Sequence, residues 1–149
     1  MSTSPEISPW PLSKISDEQH PIHTLQYLLK AQGHSIVVDG TFGPATERAV
    51  RSFQESKHLT VDGEVGPNTW TALVIQINRG TRGDAVRGVQ EEFNVRQLSG
   101  GGIGLTVDGV FGPETDGAVR AFQDALGLTV DGIVGPSTWR ALVSGMLWL

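Results

Sequence analysis

Four short frames hold the residues best suited to chemistry in this chain: VDGTFGPAT from Val38, VDGEVGPNT from Val61, VDGVFGPET from Val107 and VDGIVGPST from Val130. A glycine-flanked loop with one acid can hold a phosphate, clamp a cation or turn the chain into a helix. A calcium loop needs several acids at alternate positions, and each frame offers one Asp followed by Gly. A phosphate-binding P-loop needs Gly-Lys-Ser/Thr, and no Lys follows these glycines. His20 and His23 have a three-residue spacing that two zinc ligands can share. No third or fourth ligand stands beside them in a matching pattern, and the last histidine is His58. No metal and no cofactor is expected. Hydrolysis would call for paired carboxylates or a nucleophile with its base. Glu47, Glu55, Asp116 and Asp124 read instead as solvating residues of helix surfaces, and the Ser and His residues fall in no nucleophile frame. No catalytic residue is assigned, and the chain is not read as an enzyme.

One account has to serve all four frames. In GPAT the Pro sits where a helix begins, because its missing N–H is an orphan of the first turn and its fixed φ suits the helix. Gly43 before it serves as N-cap, and Thr46 can turn its hydroxyl onto first-turn amides. Asp39 and Gly40 form an Asx-type turn in which Gly takes positive φ, with Val38 and Phe42 expected to be buried beneath it. The frame is therefore a turn that feeds a helix.

The Asp residues of the frames fall at 39, 62, 108 and 131, spaced 23, 46 and 23 apart. This describes two large repeats, each with two loop–helix units. Sliding the chain by 69 residues aligns Val38–Val74 with Val107–Val143, pairing Phe42 with Phe111, Phe53-Gln54 with Phe122-Gln123, and Trp70 with Trp139. Upstream, LQYLL from Leu25 matches VQEEF from Val89 at an offset of 64, so five extra residues fall in SGGGIG, Ser99 to Gly104, read as a surface loop. Apolar spacing within each repeat is helical. Ile22, Leu25 and Leu29 mark a first helix, and Ala45, Ala49, Val50 and Phe53 a second. Trp70, Leu73, Val74 and Ile77 mark a third, matched by Trp139, Leu142, Val143 and Met146. Both Trp70 and Trp139 are expected in the core. The expected fold is all-α: two tandem three-helix modules with Asp-Gly turn loops. Residues 1–20, with Pro5, Pro9 and Pro11, form an extended lead-in whose Trp10 docks on the first repeat. Module 1 spans 21–78 and module 2 spans 79–149, with Asp84 capping the helix that begins at Ala85. A core of about 65 residues is small, so the modules are expected to share a real interface.

Composition narrows the partners. The net charge is −5 with no Lys/Arg stripe, which argues against nucleic acid. With no cysteine, neither disulfide nor thiolate chemistry is possible. No apolar run approaches the roughly 20 residues of a membrane span. The start, MSTSPEISPWPLS, lacks the basic and apolar regions of a signal peptide, and the apolar tail GMLWL is expected to pack on the last helix.

The run LQYLLKAQGHSIVVDGTFGPATERAVRSFQESKHLTVDGEVGPNTWTALV resembles the type 1 family of peptidoglycan-binding domains, whose pattern is LQ, VDG-x-FGP-x-T, AV-x-x-FQ and VDG-x-VGP-x-TW-x-AL. AVRGVQEEF followed by LTVDGVFGPETDGAVRAFQDALGLTVDGIVGPSTWRALV resembles it again, so the likeness covers about Pro21–Val74 and Asp84–Val143. It implies a compact three-helix fold that binds bacterial peptidoglycan without catalysis, usually attached to a wall enzyme. Its expected role here is targeting or adhesion, with a separate cell-wall hydrolase or other protein as a further partner. The implied location is the cell wall or outside the cell, and a cytoplasmic or phage-released protein stays open in the absence of a signal. Arg48, Arg51 and Arg120 suit stem-peptide carboxylates. Asp39 and Asp108 can accept from sugar hydroxyls or stem amides, and Asn68 and Ser137 occupy variable slots of a fixed frame. Two departures stand out, His58-Leu59 where the pattern has Gly-Leu (Gly127-Leu128 in the second repeat) and the SGGGIG loop. A protein-binding module within a phage-derived or secretion apparatus, and a stand-alone wall hydrolase, remain as alternative readings.

Overall fold

The computed structural model describes residues 7–98 and 105–146. They form six helices: α1 (Ile22–Ala31), α2 (Pro44–Ser56), α3 (Pro67–Leu73), α4 (Asp84–Leu98), α5 (Pro113–Ala125) and α6 (Pro136–Val143). No β-strand forms among the described residues. The fold is all-α with two three-helix modules, as the periodicity implies. However, α3 ends at Leu73 and α6 at Val143, so Val74, Ile77 and Met146 lie beyond the helices they were expected to line, and Ile77 is extended against Val134. The loop at 99–104 and Trp148 lie outside the described residues.

Four of the helices start in the same way. Gly43, Gly66, Gly112 and Gly135 are extended N-caps, each followed by Pro as the first helical residue. No N-cap side chain bonds to these helix starts, so the proline ring sets the entry. The other two helices start differently. Arg87 donates its N–H to the Gly83 carbonyl at 3.2 Å, so the residue before Asp84 is the cap. Asp84 lies inside the first turn, where its carboxylate holds Arg87 at 3.1 Å; the expected Asp84 cap is thereby corrected.

The helix ends separate the modules. After α2, Leu59 N–H bonds back to Gln54 O (2.9 Å), and after α5 Leu128 N–H bonds back to Gln123 O (2.8 Å). This six-to-one closure needs a left-handed residue between. In module 2 that residue is Gly127 at φ 72°; in module 1 it is His58 at φ 58°. A side chain there opposes the backbone by about 1 kcal/mol. His58→Gly is therefore expected to raise stability by about 1 kcal/mol, read as a higher denaturant midpoint with an unchanged slope. A lower midpoint would refute this account of the departure.

Extended segments brace the turns. Ser13 pairs with Val65 and Glu18 with Thr41, and in the same places of module 2 Ile77 pairs with Val134 and Arg82 with Val110. The lead-in thus carries for module 1 the strut that residues 75–83 carry for module 2. Each core tryptophan is tied to its strut. Trp70 Nε1 donates to the Pro11 carbonyl and Trp139 Nε1 to the Ile75 carbonyl, both at 2.8 Å. Trp10 stacks on Trp70 with ring centroids 6.1 Å apart. Both core tryptophans are fully buried, so neither ring face is open to a sugar.

Ile22, Leu25 and Leu29 of α1 and Val86, Val89 and Phe93 of α4 occupy equivalent core positions, and one apolar cluster runs through both modules. Phe42 and Phe111 are buried under their turns. Val38 is only half-buried, while Val61 and Val130 are exposed. The valine of the frame thus flanks the core rather than filling it.

The modules meet through α1 and α4. Gly88 lies against Thr24 and Tyr27, and Glu92 occupies the place on α4 that Leu28 has on α1. Glu92 is completely buried. Its two oxygens lie 2.7 and 2.9 Å from His20 Nε2. Thr24 donates to it at 2.6 Å and Arg96 at 2.9 Å. Arg96, itself buried, also donates to the carbonyls of Leu142 and Met146. One acid therefore joins module 1, α4 and the C-terminal turn.

Candidate binding grooves beside the Asp-Gly turns

Each Asp-Gly turn is held by a buried glutamine from the preceding helix. Gln26 Nε2 donates to Asp39 Oδ1 (2.9 Å), the Thr41 carbonyl (3.1 Å) and Thr46 Oγ1 (3.2 Å). Its Oε1 accepts from the N–H groups of Asp39 and Gly40. Gln54 does the same for Asp62, Gly63, Glu64 and Thr69, and Gln123 for Asp131, Gly132, Ile133 and Thr138. Gln90 serves Asp108, Gly109, Val110 and Thr115. The threonine hydroxyl of each frame, read from sequence as a partner for first-turn amides, instead accepts from the glutamine amide. A primary amide fits because it presents two donors and an acceptor to a loop that needs both.

The residue three before each glutamine closes the turn from outside. His23, Arg51, Arg87 and Arg120 lie where a Cβ on Gly40, Gly63, Gly109 or Gly132 would project. These glycines have φ of 71–78°, so both conformation and space exclude a side chain. Three of the turns also favour the ionised form of their acid. The Gln26 amide and Thr41 N–H hold the Asp39 carboxyl below the usual carboxylate range. The Glu64 N–H and Gln54 do so for Asp62, and the Val110 N–H and Gln90 for Asp108.

Open grooves run between three of the turns and the helix starts. The α3 groove, about 350 Å³, is lined by Leu12, Leu59, Thr60, Asp62, Glu64 and Asn68. The groove before α5, about 370 Å³, has Leu105, Thr106, Asp108 and Glu114. The α6 groove, about 620 Å³, has Ile7, Gln76, Leu128, Thr129, Asp131, Ser137 and Arg140. Each combines a leucine, a threonine hydroxyl and one turn carboxylate, a mixture suited to an amphipathic ligand.

The seven residues singled out from sequence do not converge on one site. Asn68, Asp108 and Ser137 line three separate grooves. Arg51 donates to the carbonyls of Val61 and Asp62 at 3.4 Å, and Arg120 to the Asp131 carbonyl at 3.3 Å; Arg120 also pairs with Asp116 at 3.2 Å. These two arginines brace turns while keeping nearly half their side-chain surface in water. Arg48 is exposed on α2, and Asp39 lines none of the three grooves. Among the described residues no cluster of three or more His, Asp or Glu can hold a metal. His20 faces Glu92 and His23 faces Gly40, so their sequence spacing does not make a shared site.

Two groups escaped the sequence reading. The glutamines were visible as Gln26, Gln54, Gln90 and Gln123, one ahead of every frame, and that fourfold recurrence was the available signal. Arg140 and Gln76 had none, since only the fold brings residues 64 apart in the chain to one groove.

Comparison with known proteins points the same way for both repeats. One relative is an uncharacterised protein of the bpoA1 3′ region of Kitasatospora aureofaciens, 52% identical over 44 residues, which is 30% of this chain and 37% of that protein. Another is a zinc D-Ala-D-Ala carboxypeptidase of Streptomyces albus G, 44% identical over 41 residues, 28% of this chain and 16% of the enzyme. The matched stretches thus span less than half the length of either relative. A peptidoglycan-binding protein from Clostridioides difficile aligns in structure at 33% identity and a TM-score of 0.43, covering 45% of this chain and 42% of that one. The family model described as a peptidoglycan binding domain matches twice, at residues 19–73 and 82–142, and the chain belongs to that family as a tandem pair of its domains.

Proposed function

We propose that this chain binds bacterial peptidoglycan through both modules and does not cleave it, acting as a targeting or adhesion unit for the cell wall. The observation that carries the reading is the double family match over the two repeats. The grooves beside the Asp-Gly turns support it with hydroxyls, carboxylates and leucines within one ligand's reach. Asn68, Asp108 and Ser137 are the proposed groove contacts. Arg48, Arg51, Arg120 and Asp39 offer polar contacts outside the groove walls. Two weak sites on one packed unit gain avidity on a polymer that repeats its epitope. Hydrolysis of the wall is then the work of a separate enzyme. The proposed location is the cell wall or the medium around it; no described helix is long and apolar enough to cross a membrane.

Sedimentation with insoluble peptidoglycan tests the reading. The expected result is protein in the pellet and no clearing of the wall suspension. Protein wholly in the supernatant would sink the binding role, and clearing would sink the non-catalytic one.

A further inference from the structure

The α3 and α6 grooves are related by the internal repeat yet differ in chemistry. Gln76 stands where module 1 has Leu12, Ile133 where it has Glu64, Ser137 where it has Asn68, and Arg140 where it has Thr71. The charged lining of the α3 groove is Asp62 and Glu64, and that of the groove before α5 is Asp108 and Glu114. Of the three, the α6 groove has a cation.

That cation is poised. Arg140 makes no ion pair with any described residue, and its Nε is buried with no hydrogen-bond partner. Thr71, at the same place in module 1, is satisfied by the Pro67 carbonyl at 2.7 Å. Asp131, the acid of the groove, already accepts from Gln123 and the Ile133 N–H. The unmet Nε–H is completed when the side chain turns toward an acceptor that enters the groove. The planar Nε–Nη edge matches the two oxygens of a carboxylate. Gln76 and Ser137 line the same groove as neutral donors, and its volume admits a short peptide end.

We propose that the α6 groove is a carboxylate-binding subsite, taking the free carboxylate of a peptide at Arg140, and that the α3 groove of module 1 is not. The two modules then make unequal contacts, with the carboxylate anchored by module 2. Assigning that carboxylate to a stem peptide rests on the peptidoglycan reading; the subsite itself does not.

The test is a titration of the full chain followed by ¹⁵N–¹H NMR, using a soluble disaccharide-tetrapeptide, its carboxyl-amidated form, and the tetrapeptide alone. Arg140 Nε–H, the Gln76 side chain and Ser137 are expected to shift with both free-carboxylate ligands, while Asn68 moves little. Amidation, or Arg140→Thr, is expected to weaken binding roughly tenfold or more. Thr is the residue module 1 carries there, and the amidated ligand gives the same information on the unaltered protein. Arg140→Lys separates a bidentate contact from a point charge by recovering only part of the affinity. Equal affinity for amidated and free ligands, with a stationary Arg140 Nε–H, would overturn the subsite and leave wall binding untouched. Shifts with the tetrapeptide in a protein that does not sediment with the wall would retain the subsite and reject the peptidoglycan reading.

Discussion

Glu92→Ala is expected to lower stability by about 3–5 kcal/mol, the usual cost of stranding one partner of a buried ion pair. The acid is completely buried between α1 and α4 and accepts from His20, Thr24 and Arg96. Its removal leaves the Arg96 guanidinium buried with only carbonyl acceptors. Urea unfolding followed by tryptophan fluorescence measures the effect, since both core tryptophans are buried reporters. A loss under about 1 kcal/mol, that of an ordinary exposed pair, would refute the structural role. The same network gives a pH dependence. Burial alone would raise the Glu92 carboxyl, but the His20 hydrogen bond and charge, Arg96 and Thr24 outweigh it and hold it below the ordinary Glu value. A carboxyl lowered on folding contributes stability above its unfolded pKa, and that contribution disappears as pH falls through the folded one. Asp39, Asp62 and Asp108 are lowered as well. Stability is therefore expected to decline as pH drops from about 4 downward, and the decline should be shallower in Glu92→Gln. An identical acid profile in that variant would contradict the assignment.

Gln123→Ala is expected to cost about 2–4 kcal/mol and to weaken ligand binding at the α6 groove, of which Gln123 is a wall. The side chain satisfies the N–H groups of Asp131 and Gly132, the Ile133 carbonyl and Thr138, all of which lose their partner together. Gln123→Glu should be at least as damaging, because an acceptor would replace the amide nitrogen 3.0 Å from Asp131 Oδ1 and 3.0 Å from the Ile133 carbonyl. The equivalent change Gln26→Ala, in module 1, should cost comparable stability and leave the α6 groove intact. Measured stability and muropeptide affinity of the three variants decide the matter. A Gln123→Ala protein within about 0.5 kcal/mol of the parent, the range of a neutral surface change, would show that the turns hold themselves.

These two expectations fall on residues that the linear pattern left in shadow. In VQEEF, Glu91 and Glu92 look alike, two acids in a helix that also carries Arg87 and Arg96. Only the approach of α1 over Gly88 makes one of them a buried junction. The glutamines are a milder case. Their recurrence before each frame was plain, but a polar residue beside Leu or Phe reads as easily as a helix surface. Their separation from the bonded Asp ranges from 8 residues for Gln54 to 18 for Gln90, so no local rule links the two.

Features that rest on neighbours along the chain are legible in the residue order. Proline after an extended glycine starts a helix wherever it occurs, and glycine accepts positive φ without help from the fold. Those frames, together with the helical apolar spacing and the LQ, AV-x-x-FQ and TW-x-AL segments, therefore carry the all-α architecture, the internal repeat and the family. The tertiary structure alone decided which polar groups are buried together and which grooves carry charge. Arg140 and Gln76 lie 64 residues apart in the chain yet wall one groove. His20 and Glu92 meet across 72 residues. Such contacts depend on how helices close on one another and on the desolvation that follows, and neither quantity is a property of any short stretch. The VDG frames build the turns, and the groove chemistry comes from what the fold lays beside them.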